Sequence, residues 1–278
     1  INYTPAISEE GGFKFRVSAV YNVGNQGDWS DWRHYFYDIT QASSSFITPM
    51  NDSKYNEPIE ISGLTTDNVG VDKVSIYYKN TTDADDPANW VKITDLFNTA
   101  KDTPYNWSYV WTPSNDGSYD LKVHGFDTAG NVENTGYAYN VLYDTTDPVV
   151  DITSHVNGNV LKGNVNIAGT VNDTNLWRYY FVIQNASNTT VAGPGTVYNA
   201  GPLVNVSLNW DTTLVPDGTY RIRLEARDIA NNKGTSSVEV VTVVVDNSAP
   251  TTPKLVNTPF VTHNGDLTYS GGNVRNEV

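Results

Sequence analysis

The chain of 278 residues contains no cysteine, and only 17% of its residues are charged. Without cysteine, neither a disulfide bond nor a thiolate metal site can form, and redox chemistry gives no information on compartment. No run of 18 apolar residues occurs, so the sequence predicts no membrane-spanning helix. Long stretches rich in Ala, Leu, Glu and Lys, which are typical of helical proteins, are also missing.

Catalytic motifs are absent as well. The sequence has no G-x-S-x-G, no H-E-x-x-H and no phosphate-binding glycine loop, and its four histidines are scattered along the chain. Neighbouring acids occur at Glu9 and Glu10 and again at Asp83, Asp85 and Asp86, but they lie in polar, loop-like sequence where acids are usually solvated. We therefore expect no enzymatic activity from these residues.

Acidic residues outnumber basic ones. Asp and Glu number 31 against 17 Lys and Arg, giving a formal net charge of −14 and a pI near 4.5. Such a surface repels phosphates, which argues against a nucleic-acid partner. Cations, sugars or neighbouring protein surfaces are the partners that an acidic, hydroxyl-rich chain suits.

The clearest positive feature is an internal repeat. The segment DGSYDLKVHGFDTAGN at 116–131 returns as DGTYRIRLEARDIANN at 217–232, and a fainter copy, GGFKFRVSAVYNVGN, occupies 11–25. Apolar residues alternate with polar ones in each copy, as in Tyr220, Ile222, Leu224 and Ala226, which is the pattern of a half-buried strand. A fixed period of about a hundred residues indicates serial units of one fold.

The pattern predicts an all-β fold of tandem antiparallel seven-stranded sandwiches, arranged as a rod by short, proline-containing junctions. Predicted units are 1–43 (the C-terminal part of one unit), 44–146, 147–248 and 249–278 (the start of another). Because the first copy begins at Gly11, too late for its preceding strands, we expect the chain to be a fragment. Asp-Gly-x-Tyr before the sixth strand predicts a tyrosine corner at Tyr119 and Tyr220.

These motifs, together with a Val-rich closing strand that ends in Asp-x-x-x-Pro, resemble the Ig-like repeats of prokaryotic cell-surface proteins. The first copy, FKFRVSAV followed by Trp29, Ser30, Asp31 and Trp32, resembles the end of a fibronectin type III unit. The resemblance implies an extracellular location. Such modules occur in adhesins, surface-layer proteins, stalks and the non-catalytic parts of secreted enzymes, so fold alone does not decide function.

The resemblance also implies candidate calcium ligands. In an Ig-like unit the second-to-third and sixth-to-seventh strand loops lie where the chain enters. Asp173 and Asp228 should therefore face the linker acids Asp144 and Asp147, and Asp67 and Asp127 should face Asp38. Clustered carboxylates suit a hard cation such as Ca²⁺, as at cadherin junctions. Alternatively, Asp127 and Asp228 cap their own turns.

Asn-x-Ser/Thr sequons make glycosylation a second candidate modification. Asn106 and Asn205 hold the same outward position, five residues before Trp111 and Trp210, and Asn80 and Asn188 are further candidates. The remaining sequons begin at Asn2, Asn51, Asn172 and Asn185. A chain this rich in Asn, Ser and Thr also yields sequons by chance.

Aromatic residues near the N-terminus have two interpretations. Trp29, Trp32, Arg16 and Arg33 could form a stacked ladder of guanidinium and indole groups or a sugar platform. The interpretation that we favour from sequence is that the tryptophans cover the core and edge of an incomplete unit.

The leading functional hypothesis is a non-catalytic structural or adhesive repeat region of a cell-surface protein: a surface layer, sheath, stalk or filament. Its partners would be neighbouring copies, other surface proteins or glycans. The alternatives are an accessory region of a secreted enzyme, such as a glycoside hydrolase or protease, and a carbohydrate-binding module. The last would need exposed coplanar aromatics, whereas most tryptophans alternate inward.

Overall fold

The computed structural model describes residues 6–133, 136–193, 195–198, 201–234 and 237–251. These residues form strands, joined by turns and two single-turn 3-10 helices at Pro87–Asn89 and Thr212–Leu214. The architecture is all-β, as predicted. None of the helices described is long enough to span a membrane.

Three groups of strands follow one another along the chain. The first is an antiparallel pair: β1 (Gly11–Phe15) and β2 (Arg33–Tyr37). The first sandwich contains β3 (Ser43–Thr48), β4 (Lys54–Tyr55), β5 (Ile59–Thr66), β6 (Val71–Asn80), β7 (Val91–Phe97), β8 (Tyr105–Trp111), β9 (Gly117–Asp127) and β10 (Gly136–Tyr143). The second contains β11 (Val149–Ile152), β12 (Val160–Leu161), β13 (Asn164–Asn172), β14 (Leu176–Asn185), β15 (Thr190–Ala192), β16 (Val197–Tyr198), β17 (Leu203–Asp211), β18 (Gly218–Asp228) and β19 (Val238–Val245).

Both sandwiches share one topology. The first pairs a sheet of order β3-β5-β8 with one of order β4-β10-β9-β6-β7. In the second, β11-β13-β17 faces β12-β19-β18-β14-β15, with the short β16 also on β14. Strand pairing is antiparallel except at β4 with β10 and β12 with β19, which run parallel. These two parallel pairs depart from the predicted all-antiparallel pattern because the chain crosses from one sheet to the other between β3 and β4 and between β11 and β12.

Each core is built from the inward residues of both sheets, as the alternation predicts. In β18, Tyr220, Ile222, Leu224 and Ala226 are buried, while the intervening side chains face away from the core. The predicted inward tryptophans are also buried: Trp111 is 8% exposed and Trp210 is 3% exposed. Removing these apolar surfaces from water is the main stabilising contribution to each sandwich.

The predicted corners are present in both sandwiches. The phenol of Tyr119 donates to the Asn115 carbonyl at 2.6 Å, and that of Tyr220 donates to the Pro216 carbonyl at 2.7 Å. The following turns need a left-handed backbone at Gly130 (φ 97°) and Asn231 (φ 74°). Glycine and asparagine are the residues that adopt this conformation at low cost.

The N-terminal segment differs from its prediction. Its alternating Phe13, Phe15 and Val17 are exposed rather than buried, because within the described residues β1 and β2 form only a two-stranded sheet without a facing layer. The opening strands predicted at 254–278 lie outside the described residues.

Candidate cation sites at the two junctions

Three aspartates gather at the entrance of each sandwich. We call Asp38, Asp67 and Asp127 the first triad, and Asp144, Asp173 and Asp228 the second triad. Their positions in the fold are equivalent: one follows the last strand of the preceding group, one follows β5 or β13, and one ends β9 or β18. Each residue offers one carboxylate oxygen, and the three oxygens of a triad lie within 4.8 Å of one another.

Hydrogen bonds in the first triad leave two oxygens unused. Asp38 Oδ1 accepts from the Thr40 amide at 3.1 Å, and Asp67 Oδ1 accepts from the amides of Val69 and Gly70, each at 2.8 Å. The Oδ2 atoms of Asp38 and Asp67 are buried and have no hydrogen-bond partner. A buried carboxylate oxygen without a donor is costly, which points to a group that the site is built to receive.

Asp127 has a different role from its two neighbours. Its Oδ1 accepts from the three amides of residues 129–131, at 2.6–2.9 Å, and its Oδ2 accepts from Asn131 Nδ2 at 2.6 Å. The same Asn131 Nδ2 donates to the carbonyls of Asp38 at 3.1 Å and Thr40 at 3.3 Å. Asp127 therefore caps its turn, as the alternative interpretation expects, and also presents its carboxylate to the triad.

The second triad repeats the link through an asparagine, whereas among the described residues only the first triad has buried carboxylate oxygens without a hydrogen-bond partner. Asp228 Oδ2 accepts from Asn232 Nδ2 at 2.6 Å, and that nitrogen also donates to the Asp144 carbonyl at 2.8 Å. Asn175 bridges the other two acids, because its amide donates to Asp173 Oδ1 at 2.7 Å and its Nδ2 to Asp144 Oδ2 at 2.6 Å. Sequence reasoning missed the linking role of Asn131 and Asn232, although both repeats end in this asparagine.

Burial raises the pKa of Asp38, Asp173 and Asp228. Desolvation raises the pKa of Asp38, and the nearby Asp127 and Asp67 raise it further. In the second triad, desolvation followed by the charges of Asp228 and Asp144 raises the pKa of Asp173 to about 6. The pKa of Asp228 is also raised, mainly by burial. A bound cation would offset both the desolvation and the mutual repulsion.

Charge compensation from the protein itself is missing at both triads. Among the described residues, none of the six aspartates forms an ion pair with lysine, arginine or histidine. Carboxylate and carbonyl oxygens without nitrogen or sulfur ligands match the donor set that Ca²⁺ prefers. The residues present therefore fit a hard divalent cation.

Asp147, the fourth linker acid expected at the second junction, is not part of the triad. Its carboxylate lies against Gly234, so closely that a Cβ at that glycine would overlap it. The linker turns between Asp144 and Asp147, so Asp144 faces the triad while Asp147 packs beside the chain after β18.

Glu10, which the sequence indicated as a solvated loop acid, instead belongs to the first junction. Its carboxylate accepts from the Ile39 amide at 2.7 Å and from the Thr40 hydroxyl at 2.8 Å, and Asn68 Nδ2 lies at 3.3 Å. These hydrogen bonds, the one from Ile39 above all, hold the pKa of Glu10 below its ordinary value. Glu10 therefore links the segment before β1 to the loop after β5.

The sequon asparagines occupy accessible positions. Asn106 on β8 and Asn205 on β17 are exposed, opposite Leu64 and Thr170 respectively. Asn80 and Asn188 are also exposed, although Asn188 Oδ1 accepts from Arg221 at 2.9 Å. Glycosylation at these four residues stays a prediction.

The aromatic group near the N-terminus forms a stack. The Arg16 guanidinium lies 4.6 Å from the Trp29 ring centroid and 4.7 Å from that of Trp32. Both indoles are about half exposed, so they do not cover a core as the favoured interpretation had it. The reason is again that β1 and β2 lack a facing sheet within the described part of the chain.

Comparison with known families agrees with the architecture. A family model described as a bacterial Ig domain matches residues 43–123, and a bacterial Ig-like domain (group 3) matches 103–176 and 204–264. The chain is a bacterial Ig-like repeat protein. Domains of this kind are generally non-catalytic and commonly extracellular.

Solved structures similar to this bacterial Ig-like repeat protein share little sequence identity with it. The fibronectin(III)-like modules of Clostridium thermocellum CbhA are 16% identical, with 74% of this chain and 95% of that chain covered and a TM-score of 0.38. The FN1-FN3 domains of chicken CNTN1 are 15% identical, with 84% and 75% covered and a TM-score of 0.34. No curated protein sequence matches the chain significantly.

Proposed function

We propose that this chain is a structural segment of an extracellular cell-surface protein, in a surface layer, sheath, stalk or filament, and that calcium fixes the junctions between its units. The observation that carries the proposal is the recurrence of one aspartate triad at two successive junctions. A single cluster of acids is common on surfaces, whereas equivalent buried clusters in two repeats indicate a function of the repeat itself.

Each triad joins three separate parts of the chain. One aspartate comes from the linker, one from the loop after the second long strand and one from the turn after the sixth. A cation bound by all three would tie the linker to the sandwich, where Asn131 or Asn232 already hydrogen-bonds the linker carbonyls. Rotation about the linker would then be restricted, as a rigid spacer requires.

An extracellular location is consistent with such sites. Calcium sites in extracellular modules have dissociation constants of about 10⁻⁴ to 10⁻³ M, so they fill outside cells and empty where calcium is low. The net charge of −14 supports high solubility and attraction of cations to the surface.

Calcium titration of the whole chain tests the proposal. We expect calorimetry to give two sites with dissociation constants of about 10⁻⁴ to 10⁻³ M. Asp38→Asn should remove the first and Asp173→Asn the second, because asparagine keeps an oxygen for the local amide but loses the charge. Asp147→Asn and the exposed Asp31→Asn are matched controls that should retain both sites.

Small-angle X-ray scattering at constant ionic strength then measures the mechanical consequence. Chelator should broaden the distribution of the radius of gyration, and calcium should narrow it. Superimposable profiles in chelator and calcium, or heats unaffected by Asp38→Asn and Asp173→Asn, would leave the aspartates as turn caps alone.

A further inference from the structure

The outer face of the second sandwich carries an unusual concentration of arginine. Arg221, Arg223 and Arg227 on β18 point away from the core, because their strand neighbours are buried core residues or the core-side end residue Asp228. Arg178 on β14 lies opposite Arg227, and the next residue, Tyr179, packs against the core. The four arginines are among the seven in the chain. We call this surface the arginine face. It stands out against a chain with a net charge of −14.

Only one acid within the described residues compensates this charge by ion pairing. Glu225 pairs with both Arg223 and Lys233 and accepts from the Tyr180 hydroxyl at 2.5 Å. Both oxygens of the Glu225 carboxylate therefore already have partners. Within the same described residues Arg178, Arg221 and Arg227 have no carboxylate within ion-pair distance.

Two of the uncompensated arginines are direct neighbours. Arg178 and Arg227 are register partners on adjacent antiparallel strands, and like charges directly opposite one another destabilise a sheet. Arg227 donates to the neutral Asn231 amide oxygen, and Arg178 stacks on Trp177 with its guanidinium 4.4 Å from the ring centroid. An arrangement that costs stability and lacks an internal partner is what an external anion would relieve.

The other end of the face surrounds Arg221. A shallow depression of about 370 Å³ is lined by Gln184, Asn188, Arg221, Arg223 and Val240. The Arg221 guanidinium beside two side-chain amides can recognise a carboxylate and neighbouring hydroxyls, while Arg223 is already paired with Glu225.

The two ends of the arginine face, at Arg221 and Arg227, lie on the same strand, β18. From Arg221 to Arg227 the chain extends about 20 Å at roughly 3.4 Å per residue, and the exposed Trp177 and Tyr198 border the far end with ring centroids 5.8 Å apart. A linear row of cations flanked by aromatic rings fits an extended anion better than a compact one.

The equivalent face of the first sandwich shows that this is not a general feature of the repeat. There, Lys73 and Lys92 both lie near Asp95, and Lys79 pairs with Asp120 at 2.8 Å. On that face three lysines thus have an acidic partner within the same sheet, and Lys122 lies over the rings of Tyr77 and Trp90 without an ion pair among the described residues, whereas the arginine face leaves three arginines without one.

We propose that the arginine face binds a linear anionic polysaccharide through its carboxylates, a polyuronate in chemical class. Charge complementarity and bidentate guanidinium–carboxylate bonds provide the affinity. The proposal goes beyond the structural role and does not require the cation sites.

Binding of polygalacturonate to the whole chain, measured by calorimetry in chelator, tests the proposal without interference from calcium. The variant Arg178→Gln/Arg221→Gln/Arg227→Gln should bind at least about tenfold more weakly, since a hydrogen bond to a charged group contributes about 1.5 to 3 kcal/mol. The control Lys73→Gln/Lys92→Gln removes charge from the equivalent face of the first sandwich and should bind as the parent does. Thermal melting checks that both variants are folded.

A second comparison isolates the carboxylate. Fully methyl-esterified polygalacturonate has the same backbone without charge, and we expect no measurable binding to it. Equal affinity for both polymers, an unaffected triple variant or no binding by the parent chain would overturn the proposal. Reversible self-association of the parent that the triple variant abolishes, with no polyuronate binding, would assign the face to a second copy of the chain instead.

Discussion

At the scale of single residues, Trp111 and Trp210, both buried, are the strongest test of the inward assignment. Trp111 packs against Tyr78 and Tyr119, with ring centroids 4.9 and 5.3 Å away, and Trp210 packs 5.4 Å from Tyr220. Trp111→Ala and Trp210→Ala should each lower the free energy of unfolding of their own sandwich by about 3 to 5 kcal/mol, measured by denaturant titration.

An exposed tryptophan supplies the control. Trp177 is 39% exposed, so Trp177→Ala should change the free energy of unfolding much less. If Trp111→Ala or Trp210→Ala unfolds at the same denaturant concentration as the parent, the indole contributes nothing to the core.

The tyrosine corner makes a smaller, chemically distinct contribution. Tyr119→Phe and Tyr220→Phe keep the ring in place but remove the hydroxyl that donates to Asn115 or Pro216. We expect a loss of about 1 kcal/mol per variant, as for a typical hydrogen bond. Thermal melts of the two variants should agree, because the geometry is the same in both repeats; a stabilising effect of either change would contradict the assigned bond.

At the scale of elements, the second junction should be sensitive to pH. Burial raises the pKa of Asp173 to about 6 from its ordinary 3.8, so between these values the folded protein holds a proton that the unfolded chain releases. In chelator, the contribution of Asp173 to the free energy of unfolding should therefore be greatest below about pH 4. It should fall by up to about 3 kcal/mol as the pH rises past 6.

Chemical melts of the second sandwich at pH 5 and pH 7.5 measure this dependence. Asp173→Asn should flatten it and be more stable than the parent at pH 7.5 in chelator, since the amide carries no charge to desolvate. Calcium should restore the stability of the parent at pH 7.5 but should not raise that of the variant. A parent whose stability in chelator rises between pH 5 and 7.5 would contradict the assigned shift, unless Asp173→Asn shows the same rise from other groups.

At the scale of the whole molecule, the two hydrophobic cores contain no residue in common. We therefore expect two unfolding transitions in chelator, with Trp111→Ala lowering the temperature of one and Trp210→Ala that of the other. Calcium should raise both, because each triad binds only when its sandwich is folded. Differential scanning calorimetry resolves the two; one transition shifted equally by either substitution would indicate a single cooperative unit.

Much of the fold was predictable because its causes are local. Alternation along β18 follows from the two-residue period of a strand, and the corner at Tyr220 follows from Asp-Gly-x-Tyr. The exposure of Phe13 and Phe15 was not predictable, since an alternating strand is buried only when a second sheet covers it.

The candidate sites were likewise predictable from sequence only in part. Sequence alone determined which aspartates belong to equivalent loops, because the repeat aligns Asp127 with Asp228, and it determined the acidic balance of the chain. Tertiary structure decided that Asp144 joins its triad while Asp147 lies against Gly234, and that Arg178 faces Arg227 across two strands. Linker direction and strand register set these contacts, and both depend on residues about 30 to 90 positions apart that no local pattern connects.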